Sequence, residues 1–157
     1  MKIPLNFSTT SNSKGLISLM MSIRIPAWRV YGLVKFYVDT GSPKSFIGYD
    51  DAVRLQIPFQ KITFTDRAIL GGNPLLIGEI KTNVDLFFRT EKESIPFKPS
   101  IFYVSKGVDA KRMTGVSGIP SILGYDFFLN NKLALYYDPA FGSAFIRESY
   151  ITKETHA

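Results

Sequence analysis

Cysteine is absent from the 157 residues, and histidine occurs once, as His156. Those absences exclude disulfide scaffolds, Cys/His zinc sites, cysteine nucleophiles and any serine triad whose base is a well-packed histidine. Chemistry must therefore come from carboxylates, hydroxyls, lysines or tyrosines. Long apolar runs are also missing. The longest, Gly15 to Ile23, is far short of the roughly 20 residues that span a bilayer, and no small-residue cleavage site follows it. Neither a membrane span nor a secretory signal is expected, and the cytoplasm is the default location. Clustered charge is lacking as well. The 19 basic and 13 acidic residues give +6, yet Lys111 and Arg112 are the only adjacent basic pair. A phosphate-binding stripe needs its cations on one face, so no nucleic-acid partner and no membrane partner is expected.

A composition of 45% hydrophobic and 20% charged residues suits one globular domain with its own core. Residues 1–14, ending in a run of Ser, Thr and Asn, are polar and small. They read as a loose arm. The domain itself is expected over 15–150, with 151–157 as a tail. Ile17, Leu19, Met21, Ile23 and Ile25 recur with a period of two, which predicts a half-buried strand. After a break at Pro26-Ala27-Trp28-Arg29, a nearly continuous apolar run from Val30 to Val38 predicts a strand buried on both faces. Further strands are expected at 45–48, 61–64, 75–80, 84–88, 101–104, 132–137 and 143–146. Short helices are expected at 49–55 and near Phe127, Phe128 and Leu129. Gly71-Gly72-Asn73-Pro74 marks a hairpin tip, and Asp138 to Gly142 a turn. With 12 Gly and 9 Pro, the pattern indicates a mostly β, closed-barrel-like domain with one or two short helices. No internal repeat and no linker stand out.

Asp39 is the informative position. A carboxylate placed directly after an apolar strand lands at the mouth of the core, where desolvation is costly unless something specific stabilises the charge. Asp-Thr-Gly-Ser is also ordinary turn chemistry. The stretch Phe36-Tyr37-Val38-Asp39-Thr40-Gly41-Ser42-Pro43-Lys44-Ser45-Phe46-Ile47 resembles the active-site segment of the aspartic proteases. Ile122-Leu123-Gly124, with the short helix after it, is similar to the element that passes behind the catalytic loop in that family. Lys132 to Pro139 is similar to its closing strand, and Leu70-Gly71-Gly72 stands where the family carries a glycine-rich flap. Order and spacing agree over roughly residues 17 to 147. Asp39 begins the only Asp-Thr-Gly of the chain. The resemblance is therefore to the single-lobe, retropepsin-like group, in which two identical chains each give one aspartate to a shared site.

That resemblance implies a retropepsin fold, an aspartic endopeptidase, a homodimer and a peptide or protein substrate, with no cofactor and no metal. Catalytic roles fall on Asp39, Thr40, Gly41 and Ser42. Gly41 would allow close approach of the backbone, the Thr40 hydroxyl would bond across the dimer axis, and Ser42 would bond the outer carboxylate oxygen. Leu70, Gly71, Gly72, Ile119, Pro120 and Ile122 are candidate substrate contacts, though Leu70, Ile119, Pro120 and Ile122 also suit a core. Ile122, Leu123 and Gly124 would support the loop. Where viral relatives carry acidic residues after the loop, this chain has Pro43 and Lys44. Lys44 is either a solvated lysine or a bias toward acidic residues flanking the scissile bond. Asp50-Asp51 reads as a helix start, Thr114 to Gly118 as a loop. The alternative function is a catalytically silent copy of the fold that dimerises or binds peptides; a basic nucleic-acid-binding domain is less favoured.

Overall fold

The computed structural model describes residues 1–9, 15–70, 73–98, 103–107 and 120–149. Among them the chain forms β1 (Lys2–Pro4), β2 (Asn6–Phe7), β3 (Ile17–Ile25), β4 (Val30–Val38), β5 (Phe46–Ile47) and α1 (Tyr49–Arg54). Next come β6 (Phe64–Leu70), β7 (Asn73–Glu79), β8 (Asp85–Arg89), β9 (Ser94–Phe97) and β10 (Tyr103–Gly107). The last elements are β11 (Ser121–Leu123), α2 (Tyr125–Asn130), β12 (Leu133–Asp138) and β13 (Ser143–Glu148). None of the described helices is long and apolar enough to cross a membrane.

The larger sheet runs β6-β7-β10-β5-β11-β4-β3-β8-β9, with β2 also paired to β3, and a second sheet runs β1-β13-β12. The mostly β expectation holds. The closed barrel does not, because closure needs hydrogen bonds between the first and last strands, whereas among the described residues β6 pairs only with β7 and β9 only with β8. Both edges carry features that suit an edge. Pro96 sits in β9, and the register of β6 shifts between Phe64 and Asp66.

Burial refines the two strands that lead to the site. β3 alternates as expected on its inner face, but its outer serines, Ser18 and Ser22, are buried too. Ser22 lies opposite Leu33 on one side and Phe87 on the other, both far taller than a serine. β4 is the half-exposed strand. Val34 and Phe36 are fully buried, while Tyr31 and Leu33 face outward, so the prediction of two buried faces fails. A serine is short enough to be roofed by its neighbours, and a leucine on an uncovered sheet face stays exposed whatever precedes it.

Residues 2–7 are not a loose arm. Ile3 pairs with Ile146 in the small sheet and is fully buried, and the Leu5 amide donates to the Ala144 carbonyl (2.9 Å). Ile3, Leu5 and Phe7 alternate with polar or exposed residues, and that short period of two supplies the apolar face that the polar run after it lacks. The strand expected at 61–64 is instead a 3-10 turn over Phe59–Lys61, with β6 starting at Phe64. β9 was not foreseen. The run expected at 101–104 is realised as β10, starting at Tyr103; residues 101 and 102 lie outside the described residues. Both short helices form as expected. α1 carries Asp50 and Asp51 in its first turn and Arg54 in its last, which suits the helix dipole. α2 buries Phe127, whose ring packs 5.1 Å from that of Phe97.

Candidate active site

The loop that carries Asp39 connects two strands that are not neighbours. β4 ends at Val38, the chain turns through residues 39–45, and it resumes as β5; β11 lies between them, parallel to β4 and antiparallel to β5. Leu123 is in register with Val38, and the Asp39 amide donates to the Leu123 carbonyl (3.0 Å). The loop is thus pinned from behind by a strand some 80 residues away in sequence.

Within the loop the turn is tight. The Ser42 amide donates to the Asp39 carbonyl (3.1 Å), and the Gly41 amide donates to Asp39 Oδ1 (2.9 Å). A Cβ on Gly41 would stand 3.1 Å from that same oxygen, so glycine permits the approach. The Ser42 hydroxyl donates to the Lys44 carbonyl (2.7 Å) and not to the carboxylate, which corrects its expected role: it closes the turn. Asp39 and Thr40 are exposed in the single chain, and the Thr40 hydroxyl makes no hydrogen bond to any described residue. Desolvation of Asp39 is therefore not a property of one chain.

Behind the loop lies a short duplication that sequence inspection missed. Ser45-Phe46-Ile47-Gly48-Tyr49-Asp50 and Ser121-Ile122-Leu123-Gly124-Tyr125-Asp126 share one pattern: a serine, two apolar residues, glycine, tyrosine and aspartate. Each leads from a short strand straight into a six-residue helix. The two copies are cross-linked by their serines, both fully buried. Ser45 Oγ accepts from the Gly124 amide (2.8 Å) and donates to Asp126 Oδ1 (2.6 Å). Ser121 Oγ accepts from the Gly48 amide (2.9 Å) and donates to Asp51 Oδ2 (2.6 Å). Asp50-Asp51 is thus a helix start, with Asp51 also holding this network. Gly124 has no room for a side chain, since a Cβ would lie 2.5 Å from the Lys44 carbonyl oxygen and 2.6 Å from that of Ser42.

Asp39 borders a cleft of about 480 Å³ between the loop and the β6–β7 hairpin. Phe46, Leu75 and Ile77 give it an apolar floor; Ser42, Pro43 and Lys44 line one side, and Asp66, Arg67 and Ile69 the other. Lys44 is not simply solvated. Its ammonium lies 3.3 Å from Asp66 Oδ2 and 4.4 Å above the Tyr103 ring. Partial desolvation opposes its charge, but the Asp66 carboxylate and the Tyr103 hydroxyl outweigh that and hold its pKa above the ordinary lysine value.

The remaining candidates divide. β6 and β7 form the expected hairpin, with Leu70 opposite Asn73. Gly71, Gly72 and Ile119 lie outside the described residues, and of Leu70 only the backbone is described. Pro120 and Ile122 do not line this cleft; Ile122 packs with Phe46 and Leu75 beneath its floor. Arg67, Ile69 and Asp66 were missed, because a hairpin's cleft-facing side can be told only once its partner surface is known. Among the described residues no group of three or more His, Asp or Glu is placed to hold a metal ion.

A strand running into Asp-Thr-Gly, a second strand and glycine inserted behind that loop, and a hairpin across the cleft define the retropepsin-like aspartic protease fold. The chain is similar to the crystal structure of a retropepsin-like aspartic protease from Rickettsia conorii, with a TM-score of 0.60 and 17% identity, covering 94% of this chain and 91% of that one. At that identity the likeness is one of fold. No family model and no curated protein matches the sequence.

Proposed function

We propose that the protein is an aspartic endopeptidase, active as a homodimer in which two copies of Asp39 share one site. The observation that carries this reading is the setting of Asp39: its carboxylate is held by the Gly41 amide, at the edge of an apolar cleft, on a loop pinned by β11. One carboxylate is half of an acid–base pair. Exposure of Asp39 and the unengaged Thr40 hydroxyl leave both free to meet their own copies across a two-fold axis.

Two carboxylates in contact cannot both be ionised, so the pair holds one proton and titrates as a unit. The ionised member takes a proton from a bridging water, whose oxygen attacks the peptide carbonyl carbon. The protonated member gives its proton to the carbonyl oxygen, and a neutral tetrahedral diol results. The pair then gives its proton to the amide nitrogen, and as the carbon–nitrogen bond breaks one diol hydroxyl returns its proton to the pair, leaving a carboxylic acid, an amine and the dyad with its single shared proton. The hairpin above the cleft would hold the substrate as an added strand and exclude water. Its chemistry suits extended or unfolded polypeptide with an apolar side chain over Phe46, Leu75 and Ile77.

Digestion of an unfolded protein by wild type and by Asp39→Asn across about pH 3 to 8 tests the reading, since a carboxylate pair imposes a pH profile that the variant should lose. Cleavage by wild type alone is expected. If both proteins fold and neither cuts at any pH, the silent peptide-binding reading replaces it.

A further inference from the structure

Among the described residues two cationic side chains reach the cleft, and they are not equivalent. Lys44 is paired with Asp66 and stacked over Tyr103. Arg67, on the next residue of β6, is exposed, lines the cleft, and has no acidic partner among the described residues. Its neighbour Asp66 is already engaged. Ile69, two residues along the same strand, lines the same cleft. The side chains of Arg67 and Ile69 therefore set a free guanidinium beside an apolar surface.

Resting on the protease reading above, we propose that Arg67 selects substrates in which an acidic residue flanks an apolar one. The apolar side chain enters the floor of Phe46, Leu75 and Ile77, and the carboxylate meets the Arg67 guanidinium. A planar fork of donors matches a carboxylate in two-point contact, which a paired ammonium cannot offer. An extended substrate puts neighbouring side chains on opposite faces and alternate ones on the same face, so the acid falls within a few residues of the apolar anchor. In a symmetric dimer the same cleft occurs on both sides of the scissile bond, and the preference is symmetric. The surplus of six positive charges on the whole chain adds a long-range pull of the same sign. The acidic bias that was one of two readings of Lys44 is thereby placed on Arg67.

Cleavage sites in an unfolded protein mixture, mapped by mass spectrometry, test this for wild type, Arg67→Glu and Lys44→Ala. Wild type should enrich Asp and Glu within three residues of cut bonds by about two- to five-fold over composition, the range of an exposed ion pair. Arg67→Glu should lose or invert the enrichment, and Lys44→Ala should keep it. Cuts without acidic bias, or a bias that survives Arg67→Glu, overturn the inference while leaving the protease reading intact. Binding separates the two further. Asp39→Asn protein should hold a labelled Leu-Phe peptide flanked by Glu more tightly than its Lys-flanked twin, and equal affinities would overturn the inference even if no protein cuts.

Discussion

The floor and the roof of the cleft are built on opposite principles. Beneath Asp39, β5 and β11 bury Phe46, Ile47, Ile122 and Leu123 to within a few per cent of full enclosure, and their serines exchange hydrogen bonds with each other's glycines. Above it, β6 is an edge strand with Thr65, Asp66, Arg67 and Ile69 exposed, tied to the loop by the Lys44–Asp66 pair. A buried network leaves its groups one arrangement, because a broken bond there leaves a polar atom with neither protein nor water. An exposed ion pair in high dielectric is worth little and can be remade. Positioning of the Asp39 loop thus rests on β5 and β11, and the proposed charge selection on β6.

Substitutions should separate the two. The largest effect is expected from Gly124→Ala, whose new methyl meets two backbone carbonyls that no rotamer change can clear. It should cost about 3 kcal/mol or more in urea unfolding, or prevent folding altogether. A loss under about 1 kcal/mol would show that the loop and β11 are looser than their spacing implies. Ser45→Ala and Ser121→Ala each strand a buried glycine amide and take one hydrogen bond from a carboxylate, although Asp126 Oδ1 keeps the Phe127 amide, and each should cost about 1 to 3 kcal/mol. If the protease reading holds, activity should divide them, since Ser45 adjoins the Asp39 loop and Ser121 lies behind it. Ser45→Ala is expected to lower kcat more than Ser121→Ala, and equal losses would make the crossed serines purely structural. The smallest change is expected from Asp66→Asn. Both partners of the Lys44 pair are about half exposed, at 43% and 53%, so stability should fall by no more than about 1 kcal/mol, and less at high salt.

The same division governs what could be read from the sequence. Asp39-Thr40-Gly41, the hairpin over β6 and β7, the two short helices and the backing strand at Ile122-Leu123-Gly124 are local patterns whose chemistry is complete within a few residues. They were legible. The burial of Ser18 and Ser22, the exposure of Tyr31 and Leu33, the ionic tie of Lys44 and the open edges of the sheet depend on which strands lie alongside, and no local period carries that. The six-residue duplication was too short to stand out at a separation of 76 positions, yet it unites the two arms that hold the loop. Its serines were invisible as site residues because a serine ahead of two apolar residues looks like any strand entry. Ser42 was misread for the related reason that a hydroxyl's partner is chosen by turn geometry, here the Lys44 carbonyl.

The central claim, that one site needs Asp39 from two chains, is tested most directly by subunit mixing. A fixed amount of wild type is unfolded and refolded with increasing Asp39→Asn protein, and cleavage is measured. Free exchange into dimers with one carboxylate pair each predicts a fall to about half with equimolar variant and to about one tenth with a ninefold excess. Activity that stays constant at every ratio would mean that each chain carries a complete site, and the shared pair of aspartates would be contradicted.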